Sequence, residues 1–383
     1  EFAWQHRRMS SHRYASGPLH TYIYESTEPG ARVIEHGNEQ GLNYRFEYLK
    51  QNPSPAGLPQ TATRVTDSLG RIDTYHYEGQ AGLARLVRHQ RADGSELRYS
   101  YDAAGRLSSS TDPLGRTTRL QRDSQGQLTS VQSPSDKPGG QRSSQRYDES
   151  TGLLLQSTDA GGISTHYRYD PWGRLVTVEQ ADGGGGSAGG DSENTTERTT
   201  ERITYPDPKT HPRTCDNPGT IQDAQGGLKH LAWSEAGLLV GRTDCSGRST
   251  QYQYDRFGEL TAVSNALGQS LRHERDARGR ITATRQPDGS KECYQLDPAG
   301  RITQIQAEAP DGQNAGSPIT LAYDLWGRLT QRTHGALSLQ FEYDAAGRLK
   351  RLVNENQAQS RFAWDVMDRL VQEEGFDQRL QSY

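Results

Sequence analysis

The side chains best suited to catalysis or metal binding are 11 histidines, 3 cysteines and a recurring set of aspartates. His6, His12 and His20 lie in a stretch rich in tyrosine and arginine, and no carboxylates stand beside them at the spacing of a metal site. His211 lies in a proline-rich segment. We therefore expect these histidines to be structural or solvated, and the sequence predicts no metal site.

The cysteines Cys215, Cys245 and Cys293 are widely spaced and odd in number, which suits neither a disulfide framework nor a zinc site. A catalytic cysteine needs a nearby base, which a sequence does not show; Cys245 falls in a predicted turn and Cys293 in a predicted strand, and we expect free, inert thiols. The glycine-rich run DGGGGSAGG lacks the Lys-Ser or Lys-Thr pair and the following apolar helix of a phosphate-binding loop. The sequence therefore predicts neither a catalytic residue nor a cofactor.

The aspartates could in principle bind calcium, but a calcium-binding loop concentrates several of them within about 12 residues. Here they recur singly in the pattern Asp-x-x-Gly, as in the ranges 67–70, 112–115, 159–162 and 244–247. Asp hydrogen-bonds its own backbone two residues on, and Gly accepts a positive φ. The pattern therefore predicts tight turns.

A longer motif, Tyr-Asp-x-x-Gly-Arg-Leu, surrounds four of these turns, at residues 101–107, 169–175, 323–329 and 343–349. A near copy with glutamate in place of arginine occupies 254–260. Further degenerate copies begin at positions 233, 275, 296 and 364, so several successive copies are 21 residues apart. The chain is therefore an array of internal repeats, and each repeat contains two strands and two turns.

The segments between the turns alternate in polarity, as Leu97, Tyr99 and Tyr101 alternate with Arg98 and Ser100. Short strands between tight turns predict antiparallel hairpins, and we expect an all-β fold. We expect the tyrosine and leucine positions to form ladders across neighbouring hairpins, and the arginine to stack on a ring or pair with an aspartate. The predicted structural positions are Tyr101, Asp102, Gly105, Arg106, Leu107, Tyr169, Asp170, Gly173, Arg174, Leu175, Tyr254, Asp255, Gly258, Tyr323, Asp324, Gly327, Arg328, Leu329, Tyr343, Asp344, Gly347, Arg348 and Leu349.

The composition fits a thin sheet better than a deep globular core. Hydrophobic residues make up 31% of the 383 residues, mean hydropathy is -0.94 and there are 41 glycines. A net charge of -4 and 19 regularly placed tyrosines argue against disorder. The sequence has no concentrated basic block of the kind that binds nucleic acid, so we expect no nucleic-acid partner. No apolar run approaches the roughly 18 residues that a membrane span needs.

Breaks in the repeat divide the chain into four predicted regions. Residues 1–60 contain strands in poor repeat register, 61–181 and 203–383 hold the regular repeats, and 182–202 form a predicted flexible Gly/Ser/Thr-rich insert. The sequence alone therefore predicts one repeat array with a single long interruption.

The repeated motif resembles the Rhs/YD-repeat family, found in bacterial polymorphic toxins, in the C components of insecticidal toxin complexes and in animal teneurins. The resemblance covers most of the chain and implies a strip of hairpins that curves into a hollow β-cocoon around a C-terminal toxin. In this family an aspartyl self-cleavage often frees the toxin. The nearest Asp-Pro turns here continue as ordinary repeats, so no protease role is assigned, and we expect the cleavage site and the toxin to lie beyond these residues.

The resemblance implies a non-enzymatic shell segment that is made in the bacterial cytoplasm and then secreted or delivered into a target cell. Its expected partners are its own C-terminal toxin domain, the remaining shell, and secretion-apparatus or chaperone proteins, the secretion system being one such as type VI. Two alternatives stay open at this point. One is a cell-surface adhesion or carbohydrate-binding module, and the other is an enzyme within the first 60 residues or the insert.

Overall fold

The computed structural model describes residues 1–55, 57–80, 82–134, 141–181 and 197–383. Within these ranges every regular element is a β-strand, and the strands form one antiparallel sheet that does not close on itself. For example, β5 (Asn43–Gln51) pairs with the next strand, β6 (Gln60–Thr66), over seven residue pairs. The predicted all-β strip of hairpins is confirmed.

Contacts along the chain divide it into two compact units. Unit 1 comprises Glu1–Tyr99 and Glu274–Tyr383, and unit 2 comprises Ser100–His273. The divisions fall inside β9 (Glu96–Tyr101) and β23 (Ser270–Arg275).

The remaining strands of unit 1 in its first segment, besides β5 and β6, are β1 (Phe2–Gln5), β2 (Arg8–His12), β3 (His20–Tyr24), β4 (Val33–Asn38), β7 (Ile72–Glu78) and β8 (Arg85–Gln90). Its second segment contains β24 (Ile281–Arg285), β25 (Lys291–Leu296), β26 (Ile302–Glu308), β27 (Ile319–Tyr323), β28 (Leu329–His334), β29 (Leu337–Tyr343), β30 (Leu349–Val353), β31 (Gln359–Trp364), β32 (Leu370–Glu374) and β33 (Leu380–Ser382). The residues that were out of repeat register at the start of the sequence are thus strands of the same sheet.

Unit 2 contains β10 (Leu107–Thr111), β11 (Thr117–Arg122), β12 (Leu128–Ser133), β13 (Gln141–Tyr147), β14 (Leu154–Thr158), β15 (Ser164–Tyr169), β16 (Leu175–Ala181), β17 (Glu197–Thr204), β18 (Thr220–Asp223), β19 (Leu228–Trp233), β20 (Leu239–Thr243), β21 (Ser249–Tyr254) and β22 (Leu260–Ser264).

The predicted insert at 182–202 ends inside a described strand. Residues 182–196 lie outside the described residues, but 197–202 belong to β17, which pairs antiparallel with β16. Thr200 also donates from its Oγ1 to the carbonyl oxygen of Val178 at 3.0 Å. The end of the predicted insert therefore overlaps β17, and the β-branched threonines of this stretch suit a strand as well as a linker.

The repeated motif produces the same hairpin turn each time. In the turn from Asp344 to Arg348, the amide of Asp344 donates to the carbonyl of Arg348, and the amide of Gly347 donates to the carbonyl of Asp344, both at 3.0 Å. Gly347 has a φ of 88°, which an L-residue with a side chain rarely adopts. The strand register shifts beside Tyr343, as a tight turn that ends in a glycine bulge requires.

The sheet has little enclosed core. Among the described residues the buried apolar side chains are only Ala62, Ala262, Ala283 and Val353. Most strand residues instead have intermediate exposure. The array therefore depends on contacts between successive hairpins more than on a central hydrophobic layer.

Candidate functional site

The arginine of the motif is fastened to the aspartate that begins its own turn. Asp344 accepts backbone hydrogen bonds on Oδ1 from Ala346 and Arg348 at 2.9 and 3.0 Å, and its Oδ2 accepts from Arg348 Nε at 2.7 Å. The same Nε-to-Oδ2 contact, at 2.6–2.8 Å, joins Arg71, Arg106, Arg116, Arg174, Arg280, Arg301, Arg328 and Arg369 to Asp67, Asp102, Asp112, Asp170, Asp276, Asp297, Asp324 and Asp365. We call this contact the turn staple.

Several of these arginines also reach the next turn on the same edge of the sheet. In unit 1, Nη1 of Arg280 donates to the carbonyl of Asp297 at 3.0 Å. Nη1 of Arg348 likewise donates to the carbonyl of Asp365 at 3.1 Å. A guanidinium can make both contacts because its donors are fixed in a planar fork, whereas a lysine ammonium has no such fork. One arginine thus links two successive hairpins.

The same guanidinium groups stack on the aromatic residue of a neighbouring repeat. Arg328 lies 4.6 Å from the ring centre of Tyr343, and Arg301 lies 5.0 Å from that of Tyr323. The sequence predicted stacking on a ring or pairing with an aspartate. The structure shows that Arg301 and Arg328 do both.

The aromatic residue before several of the turns makes a hydrogen bond that the sequence pattern did not predict. Tyr343 donates from its hydroxyl to the carbonyl of Leu329 at 2.9 Å, and Trp364 donates from Nε1 to that of Leu349 at 2.8 Å. In unit 2, Tyr254 and Tyr169 donate in the same way to the carbonyls of Leu239 and Leu154. The expected tyrosine and leucine positions therefore meet through a backbone carbonyl, and the recurring spacing of about 15 residues was the available signal.

The near copy at residues 254–260 lacks the staple. Asp255 Oδ1 still accepts from the amides of Phe257 and Glu259 at 2.8 and 3.0 Å. Arg256, inside the turn, lies 4.6 Å from the ring centre of Phe257. Replacing the motif arginine by Glu259 thus leaves the turn intact but supplies no guanidinium for the staple.

One turn carries an aspartate at the position that glycine usually occupies. Asp368 has a φ of 60°, in the left-handed region. Its carboxylate accepts from Nη1 of Arg348 at 2.8 Å and from Nη1 of Arg71 at 2.6 Å. Arg71 also donates to the carbonyl of Val366 at 3.1 Å. Asp368 therefore joins the last repeats of unit 1 to a turn almost 300 positions earlier in the chain.

The docked turn borders a cleft of about 400 Å³ in unit 1. Two of its walls are turns that begin at Asp67 and Arg91 and are neighbours on the same edge of the sheet. The third wall is the turn that carries Asp368. The full lining is Tyr44, Val65, Asp67, Arg71, Asp73, Tyr75, His89, Arg91, Ala92, Val366, Met367 and Asp368. The groove between two turns thus accommodates a third turn, and we call it the turn socket.

The turn socket also holds a histidine–aspartate pair. His89 Nε2 lies 2.8 Å from Asp73 Oδ2, and the ring of Tyr75 stacks on His89 at 4.3 Å between ring centres. Such a pair can orient an imidazole for proton transfer. No serine, threonine or cysteine side chain is among the residues described around this cleft, so the pair is not accompanied by a nucleophile there.

Histidines near the chain start form a stacked row on the sheet of unit 1. His20 stacks on His12 at 4.8 Å and on His36 at 5.3 Å, and Nδ1 of His20 lies 3.1 Å from Nε2 of His36. Burial, reinforced by the neighbouring histidines, lowers the pKa of both His20 and His36. Within the described ranges, no group of three or more His, Cys, Asp or Glu side chains is arranged to hold a metal ion.

Of the three free cysteines, Cys293 has the most defined surroundings. Burial raises the pKa of its thiol, and the hydrogen bond to Glu308 Oε1 at 3.2 Å raises it further. A raised pKa disfavours the reactive thiolate. Cys245 is exposed in its turn.

Acidification should loosen two parts of unit 1 in separate pH ranges. Hydrogen bonds from Arg280 and Arg369 lower the pKa of Asp276 and Asp365 below the ordinary 3.8, so their stabilisation is complete above that value and is lost as pH falls through the lower folded values. His20 and His36 also have lowered pKa values. Their contribution is therefore present above the ordinary 6.5 and declines as pH falls below it.

Hydrogen exchange, corrected for the intrinsic rate at each pH, will check this order. We expect amides of β2–β4 to lose protection between about pH 6.5 and pH 5, while those of β31–β32 lose it only below about pH 4. Simultaneous loss in both regions would contradict the assignment of the two transitions to histidines and stapled aspartates.

Comparison with known families gives two matches that together follow the repeats. The RHS Repeat family matches residues 85–117, 101–138, 147–184, 233–270 and 254–291, and the Teneurin YD-shell family matches residues 293–372.

Known proteins related in sequence include toxins. The toxin protein Tse5 of Pseudomonas aeruginosa is 37% identical over 247 residues, which are 64% of this chain and 16% of that protein. The probable deoxyribonuclease RhsB of Dickeya dadantii is 29% identical over 243 residues, covering 55% of this chain and 15% of RhsB. The chain therefore spans about a sixth of the length of these relatives.

Solved structures show the same fold at low sequence identity. The Tc holotoxin pore of Photorhabdus luminescens matches with a TM-score of 0.51 and 16% identity, over 93% of this chain and 21% of that one. The TcdB2-TccC3-TEV crystal structure matches with a TM-score of 0.52 and 15% identity, over 95% and 22% of the two chains. In the part of this chain that the structure describes, no helix is long and apolar enough to span a membrane.

Proposed function

We propose that this chain, which belongs to the Rhs/YD-repeat family, forms part of the wall of a shell that encloses a toxin domain of the same polypeptide. The observation that carries this proposal is the antiparallel sheet whose successive turns are joined by arginines. Such a sheet has almost no buried apolar core among its described residues. Its stability is spread along the strip, which suits a wall better than a compact enzyme.

The relatives support this role. Tse5 is named a toxin, RhsB is named a probable deoxyribonuclease, and this chain corresponds to only a small share of each. A toxic activity located elsewhere in such a polypeptide would need to be kept from the producing cell. We propose that the strip acts by steric exclusion and holds its cargo until delivery.

The partners proposed on this basis are the C-terminal toxin domain, the remaining shell, and secretion-apparatus or chaperone proteins. The secretion system would be one such as type VI. The protein would be made in the bacterial cytoplasm and then secreted or delivered into a target cell. Neither nucleic acid nor a membrane span is part of this proposal.

We assign the repeated motif residues a structural role and no catalysis. Tyr254, Tyr343 and Trp364 use their polar atoms on backbone carbonyls. The motif arginines use theirs on aspartates of the turns. Groups engaged in this way hold hairpins together and are not free to act on a substrate. Purified chain should therefore show no hydrolase or nuclease activity.

The alternative of a carbohydrate-binding or adhesive module would depend on exposed aromatic rings. Trp172 and Phe257, at the tips of turns in unit 2, are 61% and 75% exposed. The ladder tyrosines face neighbouring hairpins and are only partly accessible, so they do not form a continuous stacking platform. The arrangement therefore favours the wall.

Site-specific proteolysis of the longest natural polypeptide that contains this chain will test the shell. A thrombin site placed in a loop of its C-terminal domain should be cut at least about tenfold more slowly than the same site in the isolated domain. As a control, a site inserted after Ala160, in an exposed turn away from both sockets, should be cut readily in the long polypeptide. Equal cleavage of the domain site in both proteins would refute enclosure.

A further inference from the structure

We infer that unit 2 carries a second turn socket, and that it receives an acidic turn from a further hairpin of the same polypeptide. This inference rests on the proposed function, because it names what one part of the wall binds. It concerns the groove between the turns that begin at Asp244 and Asn265. A cleft of about 610 Å³ lies there.

The two clefts are built from the same positions of their turns. In the socket of unit 1 the first turn begins at Asp67. The lining residues from this turn lie at offsets -2, 0, +4 and +6 from that aspartate. These are Val65, Asp67, Arg71 and Asp73. In unit 2 the same offsets from Asp244 give Arg242, Asp244, Arg248 and Thr250, which all line the second cleft.

The second turn of each pair matches as well. Its first two residues line the cleft in both cases, Arg91 and Ala92 in unit 1 and Asn265 and Ala266 in unit 2. An agreement of six offsets arises because both clefts lie between consecutive turns on one edge of a regular hairpin array. The clefts are therefore equivalent places in the repeat.

The occupied socket shows what such a groove binds. The turn docked there presents Val366 and Met367 at its tip and Asp368 after them. Asp368 meets Nη1 of Arg71 at 2.6 Å, while Nε of Arg71 remains on Asp67 at 2.6 Å. The ligand is thus a β-turn with an apolar tip and a carboxylate in place of the usual glycine.

The second socket has the complementary groups without a ligand among the described residues. Arg248 occupies the place of Arg71, but its guanidinium contacts no carboxylate in the described part of the chain, and only its backbone amide reaches Asp244, at 2.9 Å. Beside it, Leu267 is 82% exposed on the groove wall. A cation next to an exposed leucine matches an apolar turn that ends in a carboxylate.

We infer the source of that turn from the length of the related polypeptides and from the occupied socket in unit 1. In the described residues, the turn that occupies the socket of unit 1 belongs to the same repeat array. This chain matches only 16% of the length of Tse5, so a relative of that size has several times more chain available. We therefore assign the second socket to a further YD-repeat hairpin of the same polypeptide, and not to a separate protein.

Cys245, inside the first turn of the second socket, provides a natural reporter because its thiol is exposed. In a version with Cys215→Ser and Cys293→Ser, the rate of maleimide labelling should be high in the isolated 383-residue chain. It should be at least about tenfold lower in the long polypeptide. Arg248→Glu should restore fast labelling in the long polypeptide, because it places like charges together. Arg272→Glu, an exposed arginine outside the cleft, should not.

Equal labelling of Cys245 in both proteins would overturn the inference, as would protection that survives Arg248→Glu. Concentration-dependent protection in the isolated chain would also overturn it, by assigning the groove to a second copy. Thrombin cleavage of the enclosed domain, measured on the same polypeptide, keeps the two proposals apart. A protected domain with a reactive Cys245 leaves the shell standing and removes the second socket.

Discussion

Replacing Arg348 by alanine is expected to lower the free energy of unfolding of the sheet by about 2–4 kcal/mol. The arginine side chain is 16% exposed and donates to Asp344, to the carbonyl of Asp365 and to Asp368 at 2.7, 3.1 and 2.8 Å. It also lies 6.0 Å from the ring centre of Trp364. Its loss would leave the largely buried carboxylate of Asp344 without its cation and release two neighbouring turns at once.

Urea unfolding followed by tryptophan fluorescence will give the change, and hydrogen exchange will place it at β30–β32. The matched control is Arg369→Ala. Arg369 makes the same staple, to Asp365 at 2.7 Å, but is 74% exposed, so its loss should cost only about 0–1 kcal/mol. Similar losses for both variants would mean that the link between successive turns adds nothing to the staple. Arg348→Lys should lie between them, because lysine keeps the charge without the planar fork.

Replacing Gly347 by valine is expected to cost about 2–4 kcal/mol, through backbone strain and through crowding. Its φ of 88° disfavours any side chain, and a β-branched one most. A Cβ at this position would also lie 3.3 Å from both the Trp326 ring and Nη1 of Arg328. Those two groups belong to the preceding repeat, where Arg328 stacks on Tyr343. The substitution therefore disturbs the contact between repeats as well as the turn.

Gly115→Val separates the two contributions. Gly115 has a φ of 78°, but a Cβ there would have no atom within 4 Å, so only the backbone strain of about 1–2 kcal/mol is expected. Urea midpoints of both variants, with the denaturant slope checked for constancy, will measure the difference. If Gly115→Val proves as damaging as Gly347→Val, the contact of the turn glycine with the preceding repeat has no energetic weight.

The local parts of the fold followed from the sequence because turn chemistry acts over a few residues. Asp344 and Gly347 specify a tight turn through a side-chain cap and a positive φ, whatever the rest of the chain does. The alternation of polar and apolar residues then specifies a strand on each side. Repetition every 21 residues or so made the hairpin array and its family predictable, and the motif positions indicated which residues would recur together.

The sequence predicted only part of the contacts between repeats. The motif indicated that tyrosine and leucine positions would meet, but Tyr343 uses its hydroxyl on the carbonyl of Leu329, and a carbonyl has no sequence signature. Arg328 both staples its turn and stacks on Tyr343, where the sequence offered these as alternatives. The strand at residues 197–202 was not predicted from composition, because its pairing with β16 depends on a partner strand.

The contact of Arg71 with Asp368 was decided by tertiary structure alone. The two residues lie 297 positions apart, and nothing in either motif copy specifies the other. Both residues lie in unit 1, and their meeting depends on how the two chain segments of that unit pack together. The sequence by itself thus determined where this protein turns and pairs, whereas only the folded chain determined which distant turns meet, because a contact between residues 297 positions apart has no local signal in either turn.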